Sequence, residues 1–264
     1  MKKSARVVFV ENADEDWFLN FLSEDKVLHV FTISDLKYLR EKTRVWVALE
    51  SNSVCGYLFE FDKRIIHTHG TTDSIVSLLS LIDLDEPTFI IEPHHKPVIT
   101  HLFEPTEPTD SSSKTKITTY YVMKLDAYTF KPPIKHHVKK LTTEYLPEVL
   151  EQLGEKRKER IENVIHRGGI VYGAYEKGLL AAMATVSEFA DNIALIRGVY
   201  TIPSMRNKGL ATSASSALVE ELTSLGKEPI LWVAKDNLPA RKVYRKIGFK
   251  KTEHTLLGFK AKRT

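Results

Sequence analysis

Arg206, Lys208 and Gly209 lie in the segment GVYTIPSMRNKGLAT, residues 198–212. The apolar pattern predicts a strand that runs through a short loop directly into a helix. A helix N-terminus offers backbone N–H groups with no intrahelical partner and a partial positive charge. Glycine at that point lets an oxygen-rich group approach the backbone with no side chain in the way. Two cations beside it add charge-assisted hydrogen bonds. The chemistry is that of an anion site, of a kind that suits a diphosphate. Neither GxxxxGK[ST] nor GxGxxG occurs in the chain. That argues against a P-loop ATPase, a kinase and a Rossmann dehydrogenase.

A second constellation is Asn237-Leu-Pro-Ala-Arg-Lys-Val-Tyr244-Arg-Lys-Ile-Gly-Phe249. Asn237 fits a helix N-cap, and capping alone explains the residue type. Tyr244 shares one helical face with Ala240, Val243 and Ile247, so it fits core packing as well as a site role. The histidines His67, His69, His94, His95 and His101 cluster in the first half. An HxH plus an HH without cysteine gives no closed tetrahedral set, so no metal is expected. Cys55 is the single cysteine. It reads as a small residue on a hairpin strand and excludes an internal disulfide framework.

The elements that must position these residues are more regular in the second half. Helices are expected over 142–153, with Pro147 marking the first turn, and over 156–165, ended by Gly168-Gly169. A hairpin is expected from Ile170–Tyr175 and Leu179–Val186, and a strand over Ile193–Thr201. A long helix over 210–225, a buried strand over 230–233, a helix from Asn237 to Ile247 and a closing strand over 250–260 follow. In the first half, helices are expected over 15–22, over 33–40 with Ser34 as cap, and over 74–82 with Thr72 or Asp73 as cap. Val45–Leu49 and Val54–Phe61 read as a hairpin, and Thr88–Ile91 and Ile117–Leu125 as strands. Pro105 to Lys116, PTEPTDSSSKTK, reads as a loop or linker. Lys131-Pro132-Pro133 is a second break and the expected domain boundary.

The chain of 264 residues carries a net charge of +4, which hides a split. Residues 1–130 hold 14 basic and 20 acidic side chains, whereas 131–264 hold 24 and 14. The asymmetry suggests two units and an anionic partner for the second, either a phosphorylated cofactor or nucleic acid. A generally lysine-rich surface accounts for the same numbers. The first residues have no long apolar run, so no secretory signal is expected, and no stretch suits a membrane helix. A cytoplasmic protein with no membrane partner is the simplest expectation.

Arg206-Asn207-Lys208-Gly209-Leu210-Ala211 matches the signature R/Q-x-x-G-x-G/A of the GNAT superfamily, the Gcn5-related N-acetyltransferases. Asn237 to Phe249 resembles the next motif of that superfamily, N-x-x-A-x-x-x-Y-x-x-x-G-F. The strand GVYT followed by Pro203 looks like the glycine N-acyltransferase-like branch. The resemblance covers roughly 131–264. It implies an α/β fold with a mixed, splayed sheet flanked by helices, preceded by a smaller α/β domain over 1–130, read as a diverged half of the same type.

The resemblance also implies acetyl-CoA, or another acyl-CoA, as donor and an amine as acceptor. Val199 and Thr201 would pair through their backbone with the pantetheine arm. Arg206 and the backbone of Asn207, Lys208, Gly209, Leu210 and Ala211 would hold the pyrophosphate. Asn237 and Tyr244 would border the thioester, with Tyr244 as proton donor to the leaving thiolate. Relatives often carry a glutamate on the strand before the loop, and here that stretch, IALIRGV, has no carboxylate. Glu188 and Asp191 just upstream are the candidate bases. The competing expectation is a protein that binds acyl-CoA or nucleic acid without catalysis.

Overall fold

The structure is a computed structural model that describes residues 6–10, 15–126, 130 and 133–264. Lys131 and Pro132 of the expected boundary lie outside the described residues, as does most of the stretch before Glu15. The chain divides into two compact units. The first comprises residues 1–121, 234–237 and 253–264; the second comprises 122–233 and 238–252.

The first unit contains β1 (Arg6–Phe9), α1 (Glu15–Ser23), α2 (Val30–Tyr38), β2 (Thr43–Glu50), β3 (Ser53–Phe61), β4 (Ile65–Gly70), α3 (Thr72–Leu79), β5 (Thr88–Ile91), α4 (Lys96–Leu102) and β6 (Phe103–Pro108). Strands β1 to β4 are antiparallel neighbours in chain order. Strand β5 then pairs β4 in parallel, with α3 as the crossover. The β2–β3 hairpin turns on Ser51 and Asn52, both at positive φ, as a tight two-residue turn requires.

Two expectations for this unit are corrected, and one strand was not expected. Helix α2 starts at Val30, before the expected cap; Ser34 lies buried inside it, and the preceding residue His29 makes no side-chain cap. Strand β4 carries too few residues of clear alternation to be picked out in IIHTHG. Pro105 and Pro108 belong to β6 rather than to a loop. That strand pairs on one side only, where missing N–H groups are tolerated.

Strand β7 (Thr118–Leu125) leads into the second unit. There follow β8 (His137–Lys140), α5 (Leu146–Leu153), α6 (Glu155–His166), β9 (Ile170–Glu176), β10 (Leu179–Ala190), β11 (Ile193–Thr201), α7 (Leu210–Ser224), β12 (Glu228–Ala234), α8 (Leu238–Ile247) and β13 (Phe249–Arg263). Pro147 occupies the first turn of α5, where its missing N–H costs no helical bond. Strands β8 to β11 are antiparallel neighbours, and β12 pairs β11 in parallel with α7 between them. Helices α5 and α6 bury Val149, Leu153, Ile161 and Val164 against Val171, Leu180 and Met183 of the sheet. Strand β8, with sequence HVKK, is too short and polar to show in the sequence.

Strand β13 begins in the second unit, but from Glu253 onward it belongs to the first. There it pairs β5 and β6. It delivers Phe259 onto Phe89, with ring centres 5.4 Å apart, and Phe89 meets Phe103 at 5.0 Å. All three rings are fully buried. Burying a phenylalanine contributes roughly 1.5–3 kcal/mol. Among the described residues no helix is long and apolar enough to cross a membrane.

Candidate active site

The site in the second unit starts from one glycine. The β10–β11 pairing slips between Met183/Thr185, which face Tyr200 and Arg197, so Gly198 and Val199 form a bulge on β11. Gly198 has φ +62, a conformation that side-chain-bearing residues seldom adopt. A bulge bends its strand. Strands β11 and β12 stay paired from Ile193↔Glu228 to Ile196↔Leu231 and no further. From Arg197 to Thr201 one edge of β11 has therefore lost its parallel neighbour. Val199 and Thr201 lie on this stretch.

The loop after β11 turns through Pro203–Met205 and reaches Arg206, which is extended (φ −66, ψ 164). Asn207 (φ +64) and Gly209 (φ +90) are left-handed, so successive N–H groups turn toward one concavity. Gly209 caps α7 without a side chain, and Ser213 makes the first helical bond back to it, at 3.0 Å. The N–H groups of Leu210, Ala211 and Thr212 precede that bond. A Cβ at Gly209 would meet nothing closer than His136 Cε1, at 3.6 Å. The space is open, positively polarised and bordered by the exposed Arg206. Such a space suits an anion.

Two side chains beside the loop are held by other elements. Lys208 Nζ lies 3.1 Å from Glu176 Oε1 and 3.7 Å from Met205 Sδ. Its charge is tied to β9 as well as offered to the loop. His136 went unnoticed in the sequence, where it is half of an HH pair in a basic run. Its Nδ1 lies 2.9 Å from Ser213 Oγ, which also accepts the Lys135 N–H. This pair pins the chain before β8 against the start of α7.

The candidate bases separate. Asp191 sits at positive φ in the β10–β11 turn, and its carbonyl accepts Lys227 Nζ at 2.8 Å. That is the end of β11 remote from the loop, about 30 Å of strand away at ~3.3 Å per residue. Glu188 lies along β10, 7% exposed. Its Oε1 is 2.8 Å from Arg197 Nη1, and its Oε2 accepts the Ser187 hydroxyl at 2.8 Å. Helix α6 adds two more guanidinium groups on this side. Arg157 stacks 3.5 Å above the Tyr200 ring. Arg160 faces Gly198, where a Cβ would come within 2.9 Å of its guanidinium. Loss of surrounding water, then the charge of Arg197, holds Arg160 below its ordinary pKa, opposed by Glu188.

Tyr244 is buried on α8, its ring edge-on to Phe249 at 6.1 Å. Asn237 precedes α8 in the segment grouped with the first unit, and its N–H donates to the Ala234 carbonyl at 3.0 Å. The structure thus brings Val199, Thr201 and Arg206 to Ala211 together in one strand–loop–helix. Glu188 stands beside the bulge through Arg197, and Asp191 does not come to the loop.

The fold as a whole is shared with known structures. A Drosophila protein matches at TM-score 0.70, with 11% identity over 96% of this chain and 98% of its own. A GCN5-related N-acetyltransferase from Sphaerobacter thermophilus matches at 0.63, with 12% identity over 98% and 96%. A tandem GNAT protein from the clavulanic acid biosynthesis pathway matches at 0.59, with 17% identity over 98% of both chains. The fold is that of the GNAT acetyltransferases. Residues 171–257 also match the family model described as FR47-like protein. That segment holds β10, β11, the loop over 202–209, α7, β12 and α8. No curated protein matches the chain.

Proposed function

We propose that the second unit is an N-acyltransferase that moves an acetyl group from acetyl-CoA to an amine. The observation that carries this reading is the uncapped start of α7 behind left-handed Asn207 and Gly209, at the end of the strand that splays from β12. In this reading the donor's diphosphate rests on the N–H groups of Asn207 to Ala211, with Arg206 alongside. The pantetheine arm replaces the missing strand beside Val199 and Thr201. The bound donor supplies an activated thioester carbonyl.

The amine nitrogen attacks that carbonyl; the C–N bond forms and the C–S bond breaks. The thiolate takes a proton, for which Tyr244 is the proposed donor. The amine loses its proton to Glu188, directly or through water, once Arg197 and Ser187 make room. The arginines at 157, 160 and 197 favour an acceptor that carries an anionic group besides its amine, since guanidinium pairs well with carboxylate. The GVYT strand before Pro203 favours the glycine N-acyltransferase-like branch. A soluble cytoplasmic setting accords with this chemistry.

The test is release of CoA from acetyl-CoA across amine classes. Amine-dependent release that is lost in Gly209→Asp is the expected result. Binding of acetyl-CoA with no release on any amine overturns the catalytic reading and leaves an acyl-CoA-binding protein.

A further inference from the structure

The first unit has a fork of its own. Strands β4 and β5 are paired from Ile65↔Thr88 to Thr68↔Ile91. Beyond that point the chain continues as His69-Gly70 on one side and Glu92-Pro93-His94-His95 on the other. Glu92, His94 and His95 each present one ligand atom, and these atoms lie within 4.8 Å of one another. We propose that they form a binding site for a divalent transition metal of the zinc class.

The geometry converges on one point. The Nε2 atoms of His94 and His95 both lie 2.8 Å from the same backbone oxygen, that of Gly70. Adjacent histidines in a strand or loop generally point apart. Here the 3₁₀ turn Pro93–His95 brings the two rings to 4.1 Å between centres. Two imidazole nitrogens therefore meet at the Gly70 oxygen, with the Glu92 carboxylate in the same cluster. Two imidazoles with one carboxylate is a donor set that zinc accepts, with a position left open. The nitrogen donors disfavour calcium and magnesium.

The surroundings suit ligands rather than ordinary hydrogen-bonding side chains. His95 is fully buried, and its Nδ1 lies 2.9 Å from Thr68 Oγ1. With the Thr68 hydroxyl accepting from Nδ1–H, Nε2 would carry the lone pair and would exchange its contact with the Gly70 oxygen for a metal. Glu92 Oε2 accepts the Gly70 N–H at 3.3 Å, which holds the carboxylate at the fork. His69 Nδ1 lies 2.8 Å from Glu92 Oε2, yet this buried nitrogen makes no aligned hydrogen bond. It is a further nitrogen within reach of a small shift. His94 is exposed and gives the ion a route in. A bound ion would tie the turn after β5 to the end of β4.

The experiment is calorimetric titration of metal-free full-length protein with Zn²⁺, followed by elemental analysis after desalting. Retention of zinc at one ion per chain is expected. His94→Ala removes an exposed ring and leaves the fold intact; it should weaken zinc binding at least tenfold, and Glu92→Gln should do the same. His101→Ala, on α4 and outside the cluster, should change nothing. Cobalt in place of zinc should show a ligand-field spectrum that His94→Ala alters. No retained zinc, or retention that His94→Ala and Glu92→Gln leave unchanged, overturns the proposal. The readout is independent of any acyl transfer by the second unit.

Discussion

The two units use one plan and finish it differently. Each has a strand that pairs a parallel neighbour over four residues and then parts from it. Each strand is followed by a glycine at positive φ and a helix. In the second unit the strand and helix are separated by residues 202–209, and α7 starts on Gly209 with no side-chain cap. In the first unit only Thr71 intervenes, and its hydroxyl accepts the Ser74 N–H at 3.2 Å. The free N–H groups that could bind an anion are thus partly satisfied from within. A Cβ at Gly70 would lie 2.3 Å from the Cys55 carbonyl oxygen, whereas Gly209 faces open space. Histidines and Glu92 occupy the first fork. On the proposed reading, the uncapped helix start is what makes the second fork, and not the first, an anion site.

The largest test of this contrast is a pair of substitutions. Gly209→Asp puts a carboxylate about 4 Å from bound phosphate charge, which opposes binding by about 4 kcal/mol. Acetyl-CoA affinity should fall about a thousandfold by calorimetry while the protein stays folded. The mirror change Gly70→Ala should instead lower the melting temperature, because its Cβ meets backbone that cannot move aside. If Gly209→Asp also acts only through stability, the contrast fails.

Next in size is Tyr244→Phe, which keeps the ring against Phe249 and removes the hydroxyl. Turnover should fall by about 10² or more, as for loss of a general acid, with acetyl-CoA affinity and melting temperature held. Turnover within a few-fold of native would leave Tyr244 a core residue. A smaller change is expected from Arg160→Ala. One charge-assisted hydrogen bond contributes about 1.5–3 kcal/mol, so KM for an amine bearing a carboxylate should rise at least about tenfold. A neutral amine should be unaffected; equal effects on both would remove the arginines from acceptor recognition.

The smallest effect concerns the first unit alone. His29 is 3% exposed, its Nδ1 2.8 Å from Tyr57 Oη. Burial, then the neighbouring His69, pushes its pKa down to about 3. Between the ordinary 6.5 and that value the unfolded chain takes up a proton that native His29 refuses. Stability must therefore fall as pH is lowered through this window, by at most about 1.4 kcal/mol per pH unit. His29→Phe should flatten the dependence of melting temperature on pH between 6.5 and 4. A slope equal to that of the native protein would show that His29 does not titrate against folding.

The sequence carried the second unit well because its signals are local. Gly209, Gly226 and Gly248 punctuate two helices, and the motif from Arg206 to Ala211 is contiguous. The parts that stayed hidden depend on tertiary position. The bulge at Gly198 exists only against β10, and His136 acquires a role only when Ser213 comes beside it. Asp191 and Glu188 looked equivalent as upstream carboxylates, yet strand pairing carries them to different places. In the first unit, Pro105 and Pro108 read as loop because no local feature reveals a one-sided strand. Glu92 joined no histidine cluster in the sequence, since its proximity to Gly70 is made by β4 and β5 lying in parallel.

Strand β13 has a consequence for how the chain is made. The segment from Glu253 to Thr264, with Phe259, completes the first unit but follows the whole of the second in the chain. While a ribosome adds the residues between Ile91 and Leu257, at about 5–20 per second, β5 waits for roughly 8–33 s without one partner strand. Phe89 lacks the Phe259 ring throughout that interval. A nascent chain in this condition presents an unpaired strand edge and an apolar surface, which favour chaperone capture or association with other chains. A fragment ending near residue 130 would carry the same defect permanently.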